Sequence, residues 1–86
     1  MSESAAEQSS DLDVHEVEDG LVIYDLANDR VHYLNETASL VFALCTGEHS
    51  DVRIAELVGS AWELPQPPEA EVRACLAQLR GEGLIR

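Results

Sequence analysis

His15, His32 and His49 are the candidate bases of this chain, Cys45 and Ser50 its candidate nucleophiles, and the histidines with Cys45 and Cys75 its candidate metal ligands. Nucleophilic catalysis needs a base within hydrogen-bond reach of the nucleophile, itself oriented by a third group. That pattern is not found. His15 and His32 fall on predicted strands with no acid or nucleophile at a telling spacing, and His49 follows Gly47-Glu48 in a polar loop. Cys45 lies beside an apolar helical stripe, where shielding raises a thiol's pKa and dulls its reactivity. The two cysteines are thirty residues apart, and neither has a neighbouring Cys or His at metal-ligand spacing. They read as small, reduced core residues. No glycine-rich phosphate loop occurs. The expectation is a protein without catalysis, cofactor or metal; a small metal-binding or redox protein built on Cys45, Cys75 and the histidines is a lesser alternative.

Bulk composition narrows the partners. The 86 residues carry a net charge of −12, with five arginines and no lysine. A duplex-binding protein needs several cations to displace phosphate counterions, so this chain is expected to repel nucleic acid. The 45 % hydrophobic content suits a globular core. No run approaches the length of a membrane span, and the N-terminus lacks the basic start and apolar stretch of a signal peptide. A soluble, cytoplasmic protein is expected. Residues 1–11 hold Ser, Glu, Gln and Asp with little apolar beyond Met1 and two alanines, which predicts a disordered acidic tail. Residues 12–86 make one small domain, near the lower limit of what folds without staples.

The elements that would position these residues are legible from patterning. Leu12 to Glu18 reads as an edge strand, and Asp19-Gly20 predicts a type I′ hairpin turn with positive φ at both positions. Leu21 to Tyr24 is a continuous apolar run suited to a central strand. Ala27-Asn28-Asp29 is a loop, and Arg30 to Leu34 returns as a third strand. That strand passes without a spacer into a helix opened by Asn35, whose side-chain oxygen can accept a backbone N–H two or three residues on. Glu36 then meets the positive end of the helix dipole. Thr37, Leu40, Val41 and Leu44 form the first helical stripe, and Gly47 ends it. Ser50 is a fitting N-cap for a second helix with Ile54, Leu57, Val58 and Ala61 on one face. Pro68 suits the start of a third helix with Val72, Cys75, Leu76 and Leu79 inward. Leu84-Ile85 is expected to tuck back against the sheet. The predicted fold is α+β: a three-stranded antiparallel β-meander followed by three helices, winged-helix-like.

A three-stranded meander has two edges, and an exposed edge is a template for pairing. If the third strand is one of them, an extended peptide can add beside Val31, His32, Tyr33 and Leu34, with Arg30 at the strand's start. The third helix would form the opposite wall through Val72, Arg73, Leu76, Leu79 and Arg80. Arg73 and Arg80, seven residues apart, share a face. The same open edge permits a dimer, so the chain is expected to be a monomer or an edge-strand dimer. Trp62, closing the second helix, reads as a cap on the core, or as a partner-binding anchor.

The run Val31-His32-Tyr33-Leu34-Asn35-Glu36-Thr37-Ala38, followed by Val41, Leu44-Cys45 and Gly47, resembles the pyrroloquinoline quinone biosynthesis protein D (PqqD) family. The likeness extends from about Leu12 to Ile85 and includes Gly20 to Asp25 and Leu76 to Ile85. It departs at Thr46, where many members have Asp before the glycine. The resemblance implies a small peptide chaperone, or RiPP recognition element. Such a protein binds the leader region of a ribosomally made precursor peptide and presents it to a modifying enzyme, often a radical S-adenosylmethionine enzyme. It implies that the leader adds beside the third strand, against the third helix. Carried onto this chain, the docking residues are Arg30, Val31, His32, Tyr33 and Leu34, with Val72, Arg73, Leu76, Leu79 and Arg80 opposite. Three of five arginines on that cleft would favour a leader with Asp or Glu near its docking segment. The competing expectation is a degenerate winged-helix regulatory or assembly protein, which the absent lysines disfavour.

Overall fold

Strand β1 (Leu12–Val17), strand β2 (Gly20–Asp25) and strand β3 (Arg30–Asn35) form an antiparallel sheet in the order β1-β2-β3 in a computed structural model that describes residues 5–86. Helices α1 (Glu36–Ala43), α2 (Asp51–Ala61) and α3 (Glu69–Gly81) follow. The α+β order expected from patterning is the observed one. Ile23 and Leu34 are the buried hydrophobic residues of the sheet, packed with Val41 and Phe42 of α1, Ile54 and Val58 of α2, and Val72, Leu76 and Leu79 of α3. Burying a side chain of this size stabilises the fold by about 1.5–3 kcal/mol.

Capping follows the local chemistry. The Asn35 side chain accepts the Ala38 N–H at 2.9 Å, and Ser50 Oγ accepts the Arg53 N–H at 3.1 Å. The expected stop at Gly47 is not where α1 ends: the helix closes at Ala43 with Leu44 as its C-cap, and Gly47, at φ +85°, shapes the loop beyond, where its N–H donates to the Ala6 carbonyl at 2.9 Å. The β1–β2 turn differs from expectation. The two loop residues are Glu18 and Asp19, and neither they nor Gly20 have positive φ. Gly20 instead opens β2 and faces Asn35, and a β-carbon there would collide with the Leu34 carbonyl oxygen. Close approach of two strands, rather than turn geometry, demands the glycine.

The N-terminal segment corrects another expectation. Residues 1–4 of the anticipated tail lie outside the described residues, but residues 5–9 are pinned to the body. Ala6 is buried, Gln8 N–H donates to the Cys45 carbonyl at 3.0 Å, and Glu7 and Arg86 exchange backbone hydrogen bonds of 3.4 and 2.7 Å. Gln8 also bridges to Ile85. Leu84 and Ile85 are buried in the same core cluster as Ile23 and Leu34, and the N-terminal strap pairs with their backbone. Backbone pairing and one small alanine suffice here, so polar composition did not forbid order.

Candidate functional site

The pairing register decides which backbone groups of β3 are free. Antiparallel ladders alternate hydrogen-bonded and non-bonded pairs. The two-residue Glu18–Asp19 loop makes Val17–Gly20 a bonded pair, so Val22 and Tyr24 also bond toward β1. Leu21, Ile23 and Asp25 then bond toward Leu34, His32 and Arg30. The N–H and C=O groups of Val31 and Tyr33 consequently point away from the sheet, and among the described residues nothing bonds to them.

Side chains alternate in the same register. Val31 and Tyr33 stand on the solvent face, 62 % and 56 % exposed, while His32 and Leu34 turn toward the helices. Tyr33 Oη donates to the Asp19 carbonyl at 3.3 Å, which steers the ring toward the hairpin tip; the Asp19 carboxylate beside it, and then desolvation, raise its pKa. On the helix side no Cα of β3 comes within 8 Å of a Cα of α3. A cleft of about 310 Å³ occupies the gap, with Leu34 and Ala38 on one wall and Cys75, Gln78, Leu79 and Glu82 on the other. Strands pair about 4.8 Å apart, and the cleft runs along the edge of β3 where a further strand would pair.

His32 is the polar residue of the cleft floor. Its Nδ1 lies 3.9 Å from Glu82 Oε1, and its Nε2 is buried without a hydrogen-bond partner. Near the start of β3, buried Asp25 accepts the Asn28 side-chain amide at 2.9 Å and the Asn28 backbone N–H at 3.3 Å. The side-chain bond from Asn28 does most to hold its carboxyl below the usual aspartate range, and burial opposes it.

The expected site residues separate into three groups. Val31, His32, Tyr33, Leu34 and Leu79 line the cleft together. Val72 and Leu76 are fully buried in the core behind it and present no surface. Arg73 and Arg80 are exposed and lie outside the cleft lining. Cys75, Gln78, Leu79 and Glu82 make the cleft-facing stripe, and at about 100° per residue both arginines fall on the far side of α3. Arg73 instead lies 4.0 Å from Glu69. Arg30 is exposed at the outer end of β3. The basic strip expected along the cleft is thus absent from it, and Glu82 takes that place. Sequence reading missed Gln78 and Glu82; their 3- and 4-residue spacing from Cys75 and Leu79 was the available signal.

The thiols also differ. Cys45 is fully buried and its pKa is pushed up to about 11, chiefly by burial, while Cys75 is half-buried at the cleft wall and burial raises it too. Among the described residues no three His, Cys, Asp or Glu side chains gather as a metal site, and no helix is long and apolar enough to cross a membrane.

Solved structures share this architecture. TbiB1 in complex with the TbiA(beta) leader peptide superposes with a TM-score of 0.78 at 17 % identity, covering 93 % of this chain and 94 % of that one. Lasso peptide synthetase B1 complexed with its leader peptide gives 0.77 at 21 % identity, covering 94 % and 96 %. At these identities the likeness is one of fold. None of the curated proteins compared matches the chain. The sequence model for coenzyme PQQ synthesis protein D matches residues 20–85, which contain β2, β3, all three helices and the whole cleft, and the chain belongs to the PqqD family.

Proposed function

We propose that this protein is a non-catalytic adaptor that captures the leader region of a ribosomally made precursor peptide by strand addition to β3 and delivers it to a modifying enzyme. The observation that carries this reading is the free edge of β3 beside a cleft. Among the described residues the outward backbone groups of Val31 and Tyr33 have no partner, and the cleft between β3 and α3 lies alongside them. A peptide added there gains main-chain hydrogen bonds that do not depend on its sequence. Its alternate side chains point into the cleft, whose lining mixes apolar Ala38, Cys75 and Leu79 with polar His32, Asn35, Gln78 and Glu82. The leader complexes of TbiB1 and lasso peptide synthetase B1, on the same fold, support the reading.

Val31, His32, Tyr33, Leu34, Cys75, Gln78, Leu79 and Glu82 are the proposed contact residues, with Arg30 at the entrance. Arg73 and Arg80 are left out on geometric grounds. The test is a fluorescence-polarisation titration with leader peptides from short reading frames encoded beside this one, joined to amide exchange by NMR. Saturable binding in the micromolar range or tighter is expected, with the Val31 and Tyr33 amides newly protected. A folded domain that binds none of these peptides, or binds them with both amides exchanging as before, overturns the proposal.

A further inference from the structure

A second surface, sharing no residue with the leader cleft, surrounds Trp62. One groove of about 420 Å³ lies between the β1–β2 hairpin, α1 and the end of α2, and a second of about 420 Å³ runs from Trp62 toward the start of α3. They meet at Trp62 and Glu36, so they form one continuous depression. Its apolar floor includes Val17, Leu40, Trp62 and Leu64. Trp62 is 43 % exposed and Leu64 44 %, high for side chains of that size at a helix end.

The rim is of one sign. Glu16, Glu18, Glu36 and Glu71 border the two grooves, and no Arg or His lines either. Among the described residues none of the four has a cation within ion-pair distance. Four uncompensated carboxylates around an exposed tryptophan repel one another. They also attract a surface in which an apolar side chain is flanked by Lys or Arg. Tryptophan is among the side chains enriched at interface hot spots.

We propose that the Trp62 depression is the docking site for a basic, amphipathic segment of the modifying enzyme, separate from the leader cleft and able to be filled at the same time. The identity of this partner as the enzyme rests on the adaptor reading; the chemistry of the site does not. Two disjoint surfaces are what an adaptor needs to hold a peptide and its enzyme together.

Trp62 is the chain's single tryptophan, so its emission reports this surface directly. The probe is a short, Trp-free amphipathic helix with Leu on one face and Lys on the other, alongside a copy with Glu for Lys. The Lys peptide is expected to blue-shift Trp62 emission and shield it from acrylamide in a salt-sensitive way, and the Glu peptide to do neither. With a fluorescent label on the Lys peptide, Trp62→Ala should weaken binding at least tenfold. Glu18→Lys, on the rim, should weaken it at least fivefold more than Glu48→Lys, which changes net charge equally in an exposed loop away from the grooves. Leader binding should be unchanged in all three variants. Equal effects of Glu18→Lys and Glu48→Lys, or an unmoved Trp62 emission, would overturn the proposal as mere attraction to an acidic protein. Failure of the wild-type chain to bind leader would instead sink the adaptor reading and leave the groove result standing.

Discussion

Replacing single residues of β3 by proline separates the outward-facing backbone from the inward-facing one. The N–H of Val31 points to the free edge, while that of His32 bonds to Ile23 in β2. Proline removes a donor and fixes φ near −65°, which an edge strand tolerates where the N–H faces solvent. Val31 is largely exposed, so Val31→Pro should alter stability by only about 0.5 kcal/mol. For a domain of this size that moves Tm by less than about 4 °C. His32→Pro leaves a ladder carbonyl of Ile23 unpaired, at a cost of about 2 kcal/mol. The corresponding fall in Tm is roughly 8–16 °C. Because His32 is itself mostly buried, His32→Ala is the reference for the lost side chain.

Binding should respond in the opposite sense. In Val31→Pro the incoming peptide loses one main-chain donor, and its own carbonyl is left without a partner, about 1–3 kcal/mol. That is roughly a five- to 150-fold loss of leader affinity. Thermal denaturation by circular dichroism and leader titration by fluorescence polarisation read the two effects on the same samples. A Val31→Pro protein that folds and binds leader as the wild type does would refute strand addition to β3. A Val31→Pro protein that is the less stable of the two would refute the pairing alternation from which the argument starts.

Three other perturbations test separate parts of the structure. Gly20→Ala brings a methyl group against the Leu34 carbonyl oxygen, where backbone must move; overpacking of this kind costs about 1–3 kcal/mol, and a Tm unchanged from wild type would contradict the tight β2–β3 approach. With Cys45 held near pKa 11, only about a thousandth of it is thiolate at pH 8, so an iodoacetamide time course should label Cys75 first. Saturating leader should slow the Cys75 reaction, and labelling of Cys75 at an unchanged rate in a leader-bound sample would place the peptide elsewhere. Asp25 has a lowered pKa in the folded state, so its contribution is complete above the unfolded aspartate value and is lost as pH falls through the folded one. Asn28→Ala, which removes the side-chain donor, should therefore reduce Tm at neutral pH and converge with wild type in acid; a constant difference across that range would rule out the carboxylate as the cause.

Features set by neighbouring residues were legible in the sequence, and features set by distant ones were not. Asn35 and Ser50 cap their helices as their types predict, because a cap needs only its own first turn. The strands and their order followed from patterning and short loops. Gly20 was read as a turn residue, whereas its reason lies fourteen residues away in the Leu34 carbonyl. Residues 5–9 have a composition that suggests disorder, but they are held by backbone bonds to residues 45, 84 and 86, which composition cannot register. Arg73 and Arg80 do share a face of α3, as their spacing requires. Which face turns to β3 was decided by the packing of Val72, Leu76 and Leu79 into the core, and that rotation brought Gln78 and Glu82, not the arginines, to the cleft.

The abrupt passage from β3 to α1 gains meaning from the same geometry. Asn35 is at once the last residue of the edge strand, paired with Gly20, and the N-cap of α1. Ser39 Oγ donates to the Leu34 carbonyl at 3.1 Å, tying the strand's end to the helix a second time. At the other end, Asp25 and Asn28 brace the loop that leads into Arg30. An edge strand fixed at both ends is already ordered before any peptide arrives. Ordering one residue's backbone costs about 1–2 kcal/mol, so a strand that had to straighten on binding would forfeit much of what each new hydrogen bond contributes. Here only the peptide has to be ordered, which is the physical basis of preorganised recognition. Asn35→Gly tests this effect, with Asn35→Ser, which loses the same cleft-lining amide but keeps a capping side chain, as its reference. Glycine remains an acceptable N-cap, so stability should fall by only a few tenths of a kcal/mol, yet the end of β3 becomes looser. Leader affinity should therefore drop by more than the change in Tm accounts for. If affinity and stability fell in proportion, the rigid junction would serve the fold alone.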